Sequence, residues 1–416
     1  MRTTVILLFL VLSTFCIKAD PPIPPVGYRW VLQMDYSDEF NGNQLDKTKW
    51  NNYYNGWEGR SPGKFIPDAV SVKDGTMQIK NSVLKEKSEH TKSEYSIGGG
   101  AVQSKRTTAH FGYYEVSFKA SRVNMSTTFW MSNHKTEVDY VTRKSNGENC
   151  DKDMFSQELD ICESIGGIIN SGDKFRKNMN FNTHFRYIDC NGGREKFYSK
   201  GNNSVEGSGL KNNAILNSES WEDFHTYGAF WKNANEVTFY ADNILVGNVM
   251  VSTEVIDEPF DRPMHINMVT ETYDWAKPYP TNEQLRDDRI NTSYYDWVRS
   301  YKLVPVLQKN KEEKLGFKLY DERIEVLNEL KCLVESKSLE LEYVYSCNRN
   351  AEIRVTVGDE VEKLQSKTLK AHQGYGHGKY SIDLDFNPES SKQYKLTVQL
   401  IDSKSGEELS KKNYNL

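Results

Sequence analysis

The sequence predicts an all-β protein of two β-sandwich domains, a large one followed by a small one. Three observations carry that reading. Short segments alternate apolar and polar residues with the period of a strand that has one buried face. Long helical periodicity is scarce between Tyr28 and Leu303. At Val304 the character of the chain changes, and a charged stretch separates two runs of strands.

The elements follow in order. Residues 1–19 read as a signal peptide: Arg2 supplies the positive start, Val5 to Val11 is an apolar run, and Ile17-Lys18-Ala19 precedes a cut ahead of Asp20. The run is short for a membrane span, so no transmembrane segment is expected. Leu12-Ser13-Thr14-Phe15-Cys16 is similar to a lipoprotein box, but Phe15 is a poor residue before a lipidated Cys16. The expected protein is therefore exported and soluble.

Residues 20–304 form the large domain. Thr76-Met77-Gln78-Ile79-Lys80, Gly112 to Lys119 and Glu236 to Asp242 are predicted strands, and Ala241-Asp242-Asn243 a hairpin turn. Many short strands favour a sandwich over a βαβ fold. Residues 305–315, with Gln308 to Lys314 charged, read as a linker. Residues 316–416 form an accessory β-sandwich, with strands at Ser338 to Tyr345, Glu352 to Val357 and Tyr394 to Leu400. Asp321 to Val334 is open between a helix and two strands.

Composition excludes some classes. The net charge is -5 with 27% of residues charged, without the basic stripe that a nucleic-acid partner would want. The 24 Tyr, 18 Phe and 8 Trp suit a β-rich core and equally suit stacking on sugar rings. After the leader, Cys150, Cys162, Cys190, Cys332 and Cys347 remain. Cys332 with Cys347 and Cys150 with Cys190 are plausible bridges, leaving Cys162 unpaired and buried. No C-x-x-C pair or H-E-x-x-H motif marks a zinc site. No cofactor is expected; a structural calcium stays open, with no motif for it.

The chemistry concentrates in Gln157-Glu158-Leu159-Asp160-Ile161-Cys162-Glu163. On a strand, Glu158 and Asp160 share a face, but the next position on that face is Cys162. One bulged residue restores Glu163 to it. Three neighbouring carboxylates repel and raise one another's pKa. Glycoside hydrolysis uses such a conflict: one carboxylate attacks and another keeps a proton for the leaving oxygen. The expected roles are Glu158 as nucleophile, Glu163 as acid/base, and Asp160 hydrogen-bonded to Glu158. Four strand positions span roughly 13 Å when flat, whereas a retaining pair needs about 5–5.5 Å, so the strand must bend. The alternative is a solvated acidic surface, which the apolar Leu159 and Ile161 on the other face argue against.

Glu-Leu-Asp-Ile-Cys-Glu resembles the E-x-D-x-x-E signature of glycoside hydrolase family 16 in its bulged form. Asp38 to Gly42, Leu45 to Trp50, Gly56 to Pro62, Thr272 to Trp275 and Tyr294 to Tyr301 extend the resemblance over residues 28–303. It implies a concanavalin-like β-jelly-roll with an open cleft, and the order of nucleophile and acid/base. The Trp57 and Arg60 block resembles β-agarases and β-porphyranases, which implies a secreted, retaining, endo-acting β-1,4-galactanase on red-algal galactan, porphyran or agarose. A κ-carrageenan, furcellaran or laminarin hydrolase, a transglycosylase and a non-catalytic binding protein are the alternatives; retention of the three acids argues against the last.

Further cleft candidates are Trp57 for stacking (or a core Trp) and Trp130, which resembles the family's platform under the cleaved bond. Arg60 and Arg186 are sulfate candidates, since a guanidinium suits planar oxyanions; the alternative for Arg60 is a surface ion pair. His184 resembles a cleft histidine near the acid/base, or is structural. Glu271 is a candidate for sugar hydroxyls. The protein is expected to act as a monomer. The accessory domain either binds carbohydrate or only stabilises the enzyme.

Overall fold

The computed structural model describes residues 21–25, 27–87, 94–133, 140–142, 152–188, 196–201, 216–305 and 322–416, the last range without 327, 329, 331–337, 360, 373 and 390–391. The leader with Cys16, nearly all of the linker, and Cys150, Cys190 and Cys332 lie outside the described residues. Cys162 is fully buried. Cys347 is buried too, and its Sγ lies 3.3 Å from the His372 carbonyl.

Two sheets face each other in the large domain. One runs, strand by strand, Lys196–Gly201, Asn182–Ile188, Lys152–Ile165, Ser126–Ser132, His265–Thr270, Glu94–Ser104 and Trp50–Asn51. The other runs Ile244–Met250, Glu236–Ala241, His225–Asn233, Gly112–Lys119, Thr292–Pro305, Thr76–Lys80 and Val70–Lys73. Alternation sorts each strand. Tyr114, Val116 and Phe118 enter the core from one sheet, and Phe129, Met131, Leu159 and Ile161 enter it from the other. Phe118 stacks on Tyr227 at 4.3 Å and Phe181 on Phe239 at 4.2 Å. The predicted hairpin is present: Asp242 and Asn243 both have positive φ, 48° and 63°, as a two-residue turn between right-twisted strands requires.

The accessory domain is a second sandwich with its own core. A sheet of Arg323–Val326, Ser338–Cys347 and Gly374–Asp383 packs on one of Lys363–Ala371, Ala351–Gly358, Lys395–Asp402 and Glu408–Asn415. Leu339, Leu341, Ile353, Val355, Leu396 and Val398 fill it. The segment left open between helix and strands contains the strand Arg323–Val326.

Candidate active site

The carboxylates sit on the strand Lys152–Ile165. Against Ser126–Ser132, Asp160 pairs with Trp130 and Cys162 with Phe129, so Ile161 is the extra residue of a bulge. Ile161 and Cys162 both turn into the core. Glu158, Asp160 and Glu163 are left on the opposite face of the strand, because the inserted residue shifts the alternation by one.

The partners of the acids come from the next strand, Asn182–Ile188. His184 stands opposite Glu158, and Arg186 opposite Ser156. Arg186 Nη1 donates to Glu158 Oε2 at 2.8 Å, and His184 Nε2 lies 3.0 Å from Asp160 Oδ2. The expected Asp160–Glu158 hydrogen bond is therefore replaced. Two carboxylates share a bond only through a proton, whereas imidazole and guanidinium supply donors outright. His184 belongs with Asp160 and Glu158 rather than with Glu163. Arg186 is engaged on Glu158, so it is not a free sulfate ligand. Phe197 supports both: His184 stacks on it at 4.6 Å and the Arg186 guanidinium lies 5.0 Å from its centre.

Glu163 has a different setting. Tyr273, buried and stacked on Trp275 at 4.8 Å, donates its phenol proton to Glu163 Oε1 at 2.7 Å. Burial, then the charge of Asp160, push the Glu163 carboxyl up to about 8, while the Tyr273 bond pulls against them. Glu158 is also raised by burial and by Asp160, but Arg186 and His184 hold it back. Burial opposes the His184 imidazolium, yet the hydrogen bond and charge of Asp160, with the charge of Glu158, outweigh it and raise its pKa. Both glutamates are raised by burial beside Asp160: Glu158 against the pull of Arg186 and His184, and Glu163, against the weaker pull of the Tyr273 phenol, to about 8, so that Glu163 keeps its proton near neutrality.

Ligand atoms of Glu158, Asp160 and His184 lie within 4.8 Å of one another. His184 Nε2 is directed at Asp160 and the Arg186 cation at Glu158, so the cluster is already neutralised by hydrogen-bonded partners. Its chemistry uses carboxyl groups and water, and needs no cofactor.

The segment following Trp50–Asn51 folds over the same face. Trp57 meets Tyr54, Phe65 and Trp130 edge-on, at 5.2, 4.9 and 6.5 Å. Tyr54 stacks on Trp130 at 5.6 Å and shares a hydrogen bond with Ser132. Gly59 has φ +115°, and a Cβ there would lie 2.8 Å from the Gly63 carbonyl oxygen, so only glycine suits this bend. The bend turns Arg60 toward Glu271, with Nε 3.3 Å from Oε2, and sets its guanidinium 5.4 Å from the Tyr273 ring centre. Burial pushes Glu271 up to about 8, against the pull of Arg60 and with the charges of Glu163, Glu158 and Asp160. Arg60 still exposes 40% of its side chain. Tyr54 and Tyr273 had no assigned role from sequence; both lie outside regular strands, where alternation carries no signal.

A β-sandwich with a bulged row of acids on one face, two of them glutamates with different partners, beside an aromatic cluster is the arrangement of a glycoside hydrolase. Family comparison agrees: the model described as "Beta-porphyranase A-D, GH16 domain" matches residues 30–303, and "Porphyranase-associated domain" matches 324–411. The chain belongs to that beta-porphyranase A-D group of glycoside hydrolase family 16. It is similar to beta-porphyranase B of Phocaeicola plebeius, 40% identical over 331 residues, which are 74% of this chain and 99% of that one. Beta-porphyranase D of Zobellia galactanivorans is 37% identical over 394 residues, 92% of this chain and 87% of that one. The crystal structure of a beta-porphyranase from the human gut bacterium Bacteroides plebeius superposes with a TM-score of 0.62 at 42% identity, covering 69% of this chain and 96% of that one. The β-agarase A of Zobellia galactanivorans, at 22% identity and a TM-score of 0.54, shares the fold.

Proposed function

We propose that this protein is a secreted, endo-acting, retaining β-1,4-galactanase whose substrate is porphyran, the sulfated form of agar galactan, and that it works as a monomer. One observation carries the mechanism: two glutamates on one face of a bulged strand, Glu158 held by Arg186 and Glu163 by Tyr273. Glu158 attacks the anomeric carbon. The bond to the glycosidic oxygen breaks as Glu163 delivers its proton there. Water then attacks the same carbon, Glu163 takes up the released proton, and the bond to Glu158 breaks. Two displacements at one carbon retain its configuration. Asp160 and His184 keep the environment of Glu158 in balance between charge and counter-charge.

The substrate reading rests on the relatives named beta-porphyranase and on Arg60, a partly exposed guanidinium over the Tyr273 ring. Its partner Glu271 favours the neutral form near pH 7, which leaves the Arg60 charge available to a sulfate. The test is digestion of porphyran, agarose, κ-carrageenan, furcellaran and laminarin, with products sized and their anomeric configuration read by NMR. Release of β-configured oligosaccharides from porphyran, abolished by Glu158→Gln, is expected. Cleavage of laminarin alone, or unchanged release by Glu158→Gln, would overturn the reading. An added acceptor sugar separates hydrolysis from transfer, light scattering reads the oligomeric state, and export of the full chain tests the leader.

A further inference from the structure

A groove of about 1560 Å³ is lined by none of Glu158, Asp160 and Glu163. Its floor is the outer face of the opposite sheet. Lys119 and Tyr294 are there because their chain neighbours Phe118 and Tyr295 point into the core. One wall is the segment containing Trp221 and Phe224; another is Gly166 to Asn170, which leaves the carboxylate strand after Ile165. The volume exceeds the roughly 300–1,000 Å³ of small-molecule sites and suits a length of polymer.

Its chemistry combines cations with rings. The Lys119 ammonium lies 5.9 Å from the Phe224 ring centre and 5.8 Å from that of Tyr294. The Arg122 guanidinium lies 4.1 Å from the Trp221 ring centre. Of the four lining acids, Glu219 and Asp287 are paired within the lining with Arg176 and Arg289, Glu222 accepts from the Glu219 amide, and Asp74 lies beside Lys73 in the chain. Among the described residues, Lys119 and Arg122 have no carboxylate partner. They are held over aromatic faces instead, which orders the side chains and leaves the outward N–H donors unspent. Phe224 remains 38% exposed and Ile168 76% exposed, so apolar surface adjoins the two cations.

We propose that this groove is a second binding site for a stretch of anionic galactan, with sulfates on Lys119 and Arg122 and sugar faces against the neighbouring rings. It performs no chemistry. It holds the polymer near the enzyme and raises the local concentration of cleavable bonds. The inference rests on the proposed porphyran substrate.

The test compares the full-length enzyme with Lys119→Ala/Arg122→Ala on polymeric porphyran and on a porphyran tetrasaccharide too short to engage both sites. KM for the polymer is expected to rise about fivefold or more, corresponding to about 1 kcal/mol, with tetrasaccharide kcat/KM unchanged. The rise should shrink on desulfated polymer and at high salt. Lys119→Gln and Arg122→Gln, which keep most of the packing, guard against misfolding and should show the same split. An unchanged polymer KM, an equal loss on the tetrasaccharide, or an equal effect on desulfated polymer would overturn the site. Failure of the unmodified enzyme to cleave porphyran at all would instead overturn the proposed substrate.

Discussion

Replacing Tyr273 by Phe removes one oxygen from the site and leaves the stacked ring in place. That oxygen donates to Glu163 Oε1 at 2.7 Å, and the bond holds down a pKa that burial and Asp160 nevertheless bring up to about 8. A hydrogen bond to a charged group contributes roughly 1.5–3 kcal/mol, and about 1.4 kcal/mol corresponds to one pH unit. Its loss favours the protonated form, so the alkaline limb of kcat/KM should move upward by about one to two pH units. The rate at the optimum should fall all the same. Tyr273 occupies Oε1 and leaves the proton to the other oxygen; without it the acid is less oriented, at a cost of about tenfold in kcat. Initial rates on porphyran across the pH range measure both effects, and a thermal melt checks the fold. An alkaline limb that stays in place or moves downward would refute the assignment of Glu163 as the acid and of Tyr273 as its positioning residue.

Arg186→Gln should act on the other limb. Without the cation at 2.8 Å, Glu158 ionises less readily, so the acid limb of kcat/KM shifts to higher pH while the alkaline limb stays. Arg60→Ala should lower kcat/KM on porphyran about tenfold or more but on agarose much less, read from parallel digests, since a charge-assisted bond is lost only with the sulfated chain. Glu271 and Glu163 hold protons in the folded protein up to about pH 8, whereas an unfolded glutamate loses its proton near pH ~4.3. The folded state then binds more protons, so Tm should decline as pH rises from about 5 to 8, and Glu271→Gln should flatten that decline. Leu159→Ala, at a fully buried core position between the acids, should cost about 2–5 kcal/mol in chemical denaturation.

The alternation of Gly112–Lys119, Glu236–Ala241 and Ala351–Gly358 made the sandwich legible, because side-chain direction in a strand depends only on position along it. The misplaced Glu163 was legible for the same reason. One residue too many between Asp160 and Glu163 demands a bulge, and Ile161 is that residue. Which partner each acid takes was not readable in this way. Asp160 looked like a ligand of Glu158, yet it meets His184, and Arg186 turned from a sulfate candidate into the counter-ion of Glu158. Those choices depend on the register between two strands, which pattern alone does not supply. Tyr273 reaches Glu163 across 110 positions in the chain, and Arg60 reaches Glu271 only because Gly59 bends its segment over the sheet. Local sequence decided that the carboxylates share a face. Long-range packing decided which of them is buried beside a cation and which beside a phenol, and so which partner works against the rise in pKa that burial and Asp160 impose on each.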